Sequence, residues 1–521
     1  MDTKALRQKI LDLAIRGKLV PQDPNDEPAS VLLGRIRQQK QQMVKEGKLK
    51  PKDIKNDSVI FVGEDNLHYE KFADGSVKCI EDEIPFDLPD GWEWVRLGSV
   101  GDMTLGKMLD VTKNKGTLRP YLRNINVRWG AFELSDVLEM RFEDDELERY
   151  SIRHGDLVIC EGGEPGRCAV WQSEEVVFYQ KALHRVRAIE VLPEFLYYVI
   201  RHFIISNQYE RYYTGTTIKH LTGQSLRIIP IPLPPLNEQK LIVEHLQRII
   251  EEIDKIETEK TEALSLVSFA KSKILDLAIR GQLVPQDPDD EPASVLLERI
   301  RAEKEELIKQ GKIKRNKKES IIFRGEDNSY YVRQDTHMES IDEQFIFEFP
   351  DNWEWCSLLN IAKIELGKTL DSAKNIGTNY PYLRSVNVRW NEVDLSDLKE
   401  MRFEPEELDR YTVRHNDLLI CEGGDVGRSC VWTDEKEILY QNALHRVRFY
   451  GGCNPFYFMY YMMYYESRGI IKALCKGVTI KHLTGNVLSL IPFALPPIEE
   501  QDRIVKRLNR IFVLLDSIIC D

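Results

Sequence analysis

The chain has 521 residues, enough for two to four domains. Asp and Glu (85) outnumber Lys and Arg (72), and the formal net charge of −13 argues against the basic footprint usual in a nucleic-acid binder. No long uncharged apolar run and no N-terminal apolar stretch occurs, so neither a membrane span nor a secretory leader is expected. The nine cysteines form no CxxC pair, so a zinc knuckle is not expected, and with no export signal they are expected to be reduced thiols in a cytosol.

An internal repeat governs the reading of the rest. From Lys9 the chain reads KILDLAIRGKLVPQDPNDEPASVLL, and from Lys273 it reads KILDLAIRGQLVPQDPDDEPASVLL. Each copy predicts a helix stopped by Gly17 or Gly281, a proline-rich turn and a second helix, over about 28–47 and 292–311. Strand-like runs follow, VIFVGEDNLHYE from Val59 and IIFRGEDNSYYV from Ile321. Gly-Glu-Asp-Asn between apolar runs is hairpin chemistry.

A globular domain opens at Pro89-Asp90-Gly91-Trp92-Glu93-Trp94, and its twin opens at Pro350-Asp351-Asn352-Trp353-Glu354-Trp355. The twins share PYLR (from Pro120 and Pro381), NVRW (Asn126, Asn387), MRFE (Met140, Met401), CEGG (Cys160, Cys421), ALHRVR (Ala182, Ala443) and TIKHLTG (Thr217, Thr479). Short β-rich runs alternate with turns, and helical patches are expected near 192–209 and 455–471. Each copy reads as a mixed α/β domain of roughly 185 residues. IIPIPLPPLNEQ from Ile228 and LIPFALPPIEEQ from Leu490 predict a last strand, a proline stop and a helix start whose acidic first turn suits the helix dipole.

From 236 to Gly281 no Pro or Gly intervenes. Ile242, Leu246, Ile249, Ile253, Ile256, Ala263, Val267, Ala270, Ile274 and Leu277 step by four and three, with one vacancy at Lys260. This is a heptad seam, and it predicts a helix roughly 65–70 Å long. So narrow a stripe needs a partner. The chain supplies one in two pieces, the N-terminal helix and a C-terminal helix with Ile504, Leu508, Ile511, Leu515 and Ile518. Asp521 aligns near Glu259 and Met1 near Ser265, so the termini are expected to meet beside the long helix near Lys260. If the seam closes there, Lys260→Leu should raise stability.

The expected fold class is therefore mixed α/β (α+β): two homologous globular domains separated by long helices that form an antiparallel coiled coil, with an internal pseudo-two-fold, circular repeat. The expected divisions are 1–47 helical, 48–235 globular, 236–311 helical, 312–497 globular and 498–521 helical.

No catalytic constellation emerges. Gly101 to Met108 imitates a phosphate loop, but Met108 replaces the Ser or Thr that would hold magnesium, and in the twin Ile361 replaces the first glycine. A strand ending in a glycine turn is the better reading. The glycine-rich run from Cys160 to Arg167 lacks GxGxxG spacing and reads as a hairpin turn offering Arg167. Cys160 and Cys421 read as buried core residues, and His154, His184, His220 and their twins read as structural.

A binding surface is better supported. Each domain clusters Arg and amide residues around short strands. The first has Arg123, Asn124, Asn126 and Arg128, then Lys181 and Arg185; the second has Arg384, Ser385, Asn387 and Arg389, then Arg446. Lys107 and Lys368, Arg167 and Arg428, and the turn residues Thr216, Thr217, Lys219, His220 and Thr479, Lys481, His482 complete the set. Arg pairs bidentately with guanine and Asn with adenine, while Lys and Arg contact phosphates. The plain alternative is a solvated sheet face.

GTTIKHLTGQSLRIIPIPLPPLNEQKLIVEHL from Gly215, GVTIKHLTGNVLSLIPFALPPIEEQDRIVKRL from Gly477, the repeated KILDLAIRG segment and the Pro-Asp-x-Trp-Glu-Trp entries resemble the specificity subunit of type I restriction-modification systems. The resemblance covers essentially the whole chain. It implies two target-recognition domains that each read half of a split DNA sequence. It implies helices that space them and dock two methyltransferase (modification) subunits, to which endonuclease/translocase (restriction) subunits add, in a bacterial or archaeal cytoplasm. It places S-adenosylmethionine, ATP and magnesium in those partners, and no catalytic residue, metal or cofactor in this chain. The base-reading residues vary within the family, so the site residues above come from the sequence alone. The likeness of the two domains suggests related half-sites. Segments 101–103 against 361–363, 111–119 against 372–380 and 130–134 against 391–395 are expected to carry any difference. The competing readings are a protein-binding coiled-coil adaptor and a self-contained DNA methyltransferase or nuclease.

Overall fold

The computed structural model describes residues 2–520 apart from 55–56, 216–218, 316–319, 328, 335–336, 342–346, 372–374 and 476–481. The chain forms two compact units, 1–259 and 260–521. The expected meeting of Met1 with Asp521 lies outside the described residues.

In the first unit the side chain of Asp2 caps the helix Thr3–Ile15 by accepting from Ala5 N at 3.0 Å. Gly17 ends that helix at φ +66°, where an added Cβ would sit 2.4 Å from the ring of Pro89. The second helix is Ala29–Lys45. The expected hairpin, Val59–Val62 against His68–Lys71, gains a third strand, Val77–Cys79. The globular domain holds two four-stranded sheets. One runs Cys168–Val170, Leu157–Cys160, Leu183–Ala188, Gly101–Leu105; the other runs Ser151–Ile152, Val177–Tyr179, Thr117–Leu122, Leu138–Phe142. The helical patch is Pro193–Ile205, packed against Thr3–Ile15. The last strand, Pro230–Leu233, pairs antiparallel with the entry strand Glu93–Arg96, so the domain begins and ends side by side.

The second unit repeats this order. Its helix Ala293–Lys309, three-stranded meander, two four-stranded sheets, helix Pro455–Ser467 and entry–exit pair Glu354–Ser357 with Pro492–Leu495 match the first.

Leu236–Ile279 is one helix of 44 residues. Within the first unit its opening half runs antiparallel to Thr3–Ile15. Arg7 pairs with Asp254 and Glu257, and Gln22 reaches Glu238 at 3.1 Å. Within the second unit its closing half runs antiparallel to Ile498–Cys520, with Lys271 on Asp516 at 2.5 Å and Gln286 on Glu500. Ile242, Leu246, Ile253, Ile504 and Leu508 are buried, and Ile249, Ile274, Ile511 and Leu515 are half-buried. Ile256 is 41% exposed; at that level the contact is the ion pairing of Arg7 rather than an apolar knob. Ile518 is 60% exposed. Toward the domain the buried stripe rotates. Leu275, Ala278 and Ile279 enter the core and leave Leu277 outside, because the helix there packs on its domain rather than on a coiled-coil mate. No helix among the described residues is long and apolar enough to cross a membrane.

Candidate nucleic-acid interface

The double-proline helix starts fix each domain to its helix. Glu238 accepts from Trp92 Nε1 at 2.8 Å, and Glu500 does the same for Trp353 at 2.8 Å. Gln239 accepts from Leu192 N at 3.0 Å and donates to Pro234 O at 2.9 Å; Gln501 repeats this with Asn454 N at 2.8 Å and Pro496 O at 3.0 Å. All four side chains are buried. Burial pushes the carboxyls of Glu238 and Glu500 above the ordinary range. The sequence signalled only their favourable place at a helix start; that both copies carry Glu-Gln after Pro-Pro was the clue to a shared clamp.

At one end of the first domain five chain segments meet. Gly106 N donates to Leu183 O (3.0 Å), Lys107 N to Tyr179 O (3.1 Å) and Lys181 N to Lys107 O (2.8 Å). Glu161 N donates to Ala182 O (2.9 Å), and Leu221 N to Glu161 O (2.8 Å). Arg167 joins the 123–126 turn to the cluster through Asn124 O at 2.9 Å. A Cβ on Gly106 would lie 2.2 Å from Gln180 O, so the approach requires glycine. The second domain makes the same junction with Gly367, Lys368, Asn442, Ala443, Glu422 and Leu483. The Gly101 segment is accordingly a strand with a glycine turn, not a phosphate loop.

Several candidate residues build this junction and face inward. Lys107 is buried against Glu143 and Glu146. Burial opposes its charge, but the two carboxylates outweigh that and raise its pKa, while Lys107 holds Glu143 far below the usual carboxylate range. Lys368 repeats the arrangement with Glu407 and Arg402 O (3.0 Å). Asn126 accepts from Arg123 N (2.9 Å) and donates to Glu133 O and Asp136 O (both 2.9 Å), closing a tight turn; Asn387 copies it. Arg123 and Arg384 reach Asp136 and Asp397, each at 2.7 Å. Arg185 and Arg446 are buried on Asp102 and Glu365. Arg167 and Arg428 fold back onto Asn124 O and Ser385 O, at 2.9 Å each, rather than standing at the turn's tip.

Others face outward. Arg128, Lys181, Lys219, His220, Arg389 and His482 are exposed, and Asn124 and Ser385 are half-exposed. Lys219 lies 3.0 Å from Glu210, and Arg389 lies 3.0 Å from Asp394. Thr216, Thr217, Thr479 and Lys481 lie outside the described residues. Of the three segments expected to carry differences, 101–103 opens the strand Gly101–Leu105, where a Cβ on Gly101 would meet Arg187 O at 2.9 Å. Its structural counterpart is 362–364 rather than 361–363, since Gly101 pairs with Ala188 as Ala362 does with Phe449, and Ile361 ends a short helix. The other two pairs lie in or beside surface loops, with 372–374 outside the described residues.

The remaining candidates have structural places. His184 and His445 are buried on Leu221 O and Leu483 O (both 2.8 Å), and burial lowers their pKa. Cys160 and Cys421 are buried, which pushes each thiol up to about 11. Among the described residues no group of three or more His, Cys, Asp or Glu is placed to hold a metal ion.

The family described as Type I restriction modification DNA specificity domain matches this chain twice, over residues 89–266 and 350–518. The chain is similar to the type I restriction enzyme EcoAI specificity subunit of Escherichia coli, with 26% identity over 98% of this chain and 88% of that protein. It is also similar to the EcoEI specificity subunit of Escherichia coli, with 25% identity over 99% of this chain and 90% of that protein. In fold it resembles a chain from a solved type I R-M system at a TM-score of 0.55 and 20% identity, over 84% of this chain and 93% of that one.

Proposed function

We infer the mechanism from one premise: the chain belongs to the family of type I restriction-modification specificity subunits. Its two target-recognition domains each read one half of a bipartite DNA sequence. The observation that carries this is a single loop junction built twice on the same clamps, whose outward side chains are shared at Arg128 and Arg389 and at His220 and His482 but differ at Asn124 and Ser385 and at Lys181 and Asn442. One rigid frame with two sets of exposed groups suits two related but separate reading events on one duplex.

In this proposal the DNA-facing groups are the outward ones. Arg128, Lys219, His220, Arg389 and His482 contact phosphates and set the position of each domain. Asn124, Lys181 and Ser385 face base edges. The buried arginines and lysines shape the junction behind them. Such contacts are compatible with a net charge of −13, because the phosphate-facing set is local and the acidic excess can lie elsewhere. The helices set the separation of the half-sites and dock two DNA adenine methyltransferase subunits, to which ATP-dependent endonuclease subunits add. S-adenosylmethionine, ATP and magnesium act in those partners, and this chain contributes selection rather than bond-making.

The test is single-molecule sequencing of methylated DNA from cells carrying this chain with its methyltransferase. One interrupted motif that disappears when this chain is deleted is expected. Methylation at a contiguous motif, or methylation that persists without the chain, overturns the reading. So does a purified complex that shows no sequence-selective DNA shift, the outcome a protein-only adaptor requires.

A further inference from the structure

The two junctions are alike in backbone and differ at the tip. Lys181 N and Asn442 N make the same hydrogen bond, to Lys107 O and Lys368 O, at 2.8 and 2.7 Å. Beyond that bond the side chains diverge. Lys181 is exposed, with no ion pair among the described residues, and stands on the segment beside Met108, which is 58% exposed. Asn442 is tethered. Its Oδ1 accepts from Ala443 N at 2.6 Å, and its Nδ2 donates to Thr369 Oγ1 at 3.4 Å. Ala443 adopts φ +92°, a left-handed conformation rare for a residue with a side chain. Thr369 occupies the place of Met108, so the hydroxyl that holds Asn442 belongs to the second domain only.

We propose that positions 181 and 442 are where the two domains read different bases, Lys181 selecting guanine and Asn442 selecting adenine. This rests on the reading above. An ammonium group offers only donors, and in the major groove guanine presents two acceptors, N7 and O6. A carboxamide has two lone pairs and two N–H groups. In Asn442 one of each is already engaged, which leaves one acceptor and one donor. That remainder complements the N6 donor and N7 acceptor of adenine. The tether fixes the amide plane before DNA arrives, so little side-chain freedom is lost on binding.

The full chain carrying Lys181→Asn with Met108→Thr is expressed with its methyltransferase, and the methylated motif is sequenced. The expected change is guanine to adenine at one position of the first half-site, with the second half-site unaltered. The reciprocal chain, Asn442→Lys with Thr369→Met, should change one position of the second half-site only. Unchanged motifs in both overturn the proposal. If either chain abolishes methylation, the purified complex is competed with duplexes altered one base pair at a time. Discrimination falling roughly 10- to 100-fold at a single position supports base reading. Weakening that is uniform over all duplexes makes these residues phosphate contacts and overturns it. A wild-type chain that directs no interrupted motif defeats the broader reading, whereas an interrupted motif that ignores these exchanges defeats this inference alone.

Discussion

In the first unit the entry strand carries Arg96, buried with Glu70 at 2.5 Å and Glu83 at 2.6 Å and donating also to Ile228 O at 2.6 Å. At the same place the second unit carries Ser357. Its amide and hydroxyl meet Asn360 Oδ1 at 2.8 and 2.9 Å, and Asn360 Nδ2 reaches Ser320 O at 2.8 Å; Val332 stands where Glu70 does. One backbone is thus held by a charged network in one copy and by uncharged hydrogen bonds and an apolar contact in the other. The partners changed together. At the loop tips, by contrast, Lys181 is exposed and makes no ion pair among the described residues. Divergence balanced by a partner belongs to the scaffold; divergence without such a balance is what the proposed DNA-facing surface requires.

Arg96→Met is expected to have the largest effect of the substitutions considered. It strands the buried carboxylate of Glu70 and takes one partner from half-buried Glu83, and should cost about 3–5 kcal/mol. Ser357→Ala removes one ordinary hydrogen bond, from the hydroxyl to Asn360 Oδ1, and keeps the amide bond, so it should cost about 1 kcal/mol. Denaturant unfolding, with hydrogen exchange read separately over 93–96 and 354–357, checks both, and similar losses would show that the two networks are not alternatives. Next comes Ala at Gly106 or Gly367, where the new Cβ meets a carbonyl at 2.2 Å in both units. Each should lose about 1–3 kcal/mol. A large inequality would mean that the junction is not shared.

The two networks respond differently to acid. Burial opposes the charge of Glu83, yet bonds from Arg96 and Lys78 leave its carboxyl below the ordinary range. A lowered folded pKa gives stability that is complete above the unfolded value, about 4.3, and that is lost as pH falls through the folded value. Exchange over 93–96 should therefore accelerate below about pH 4.3 more than over 354–357. The smallest effect is expected at Lys260, which is exposed. Lys260→Leu should change stability by less than about 0.5 kcal/mol, whereas a gain above about 1 kcal/mol would mean that the seam closes there.

Periodicity exposed the larger elements. The heptad steps located Leu236–Ile279, and the Gly-Glu-Asp-Asn turns located the hairpins Val59–Val62 with His68–Lys71 and Ile321–Arg324 with Tyr330–Gln334. The inward fate of the arginines was hidden. In LHRVRA from Leu183 the alternation suggests a solvated face, but the first four residues of this strand are buried on both sides. Arg185 and Arg187 are tolerated there because Asp102 and Asp156 neutralise them from neighbouring segments. Asp156 and Asp417 follow the two shared histidines, and this repeated acid was the available sign. Asn126 misled for another reason: a short polar turn uses amides as backbone clasps just as a groove reader uses them on bases.

Each domain is entered and left through one pair of adjacent strands, Glu93–Arg96 beside Pro230–Leu233 and Glu354–Ser357 beside Pro492–Leu495. Lengthening or shortening any loop between those doorposts leaves the distance across the doorway, and therefore the phase of the helices outside it, untouched. Under the proposed function, such a domain could change what it reads by insertion or deletion while the helices outside the doorway keep their places.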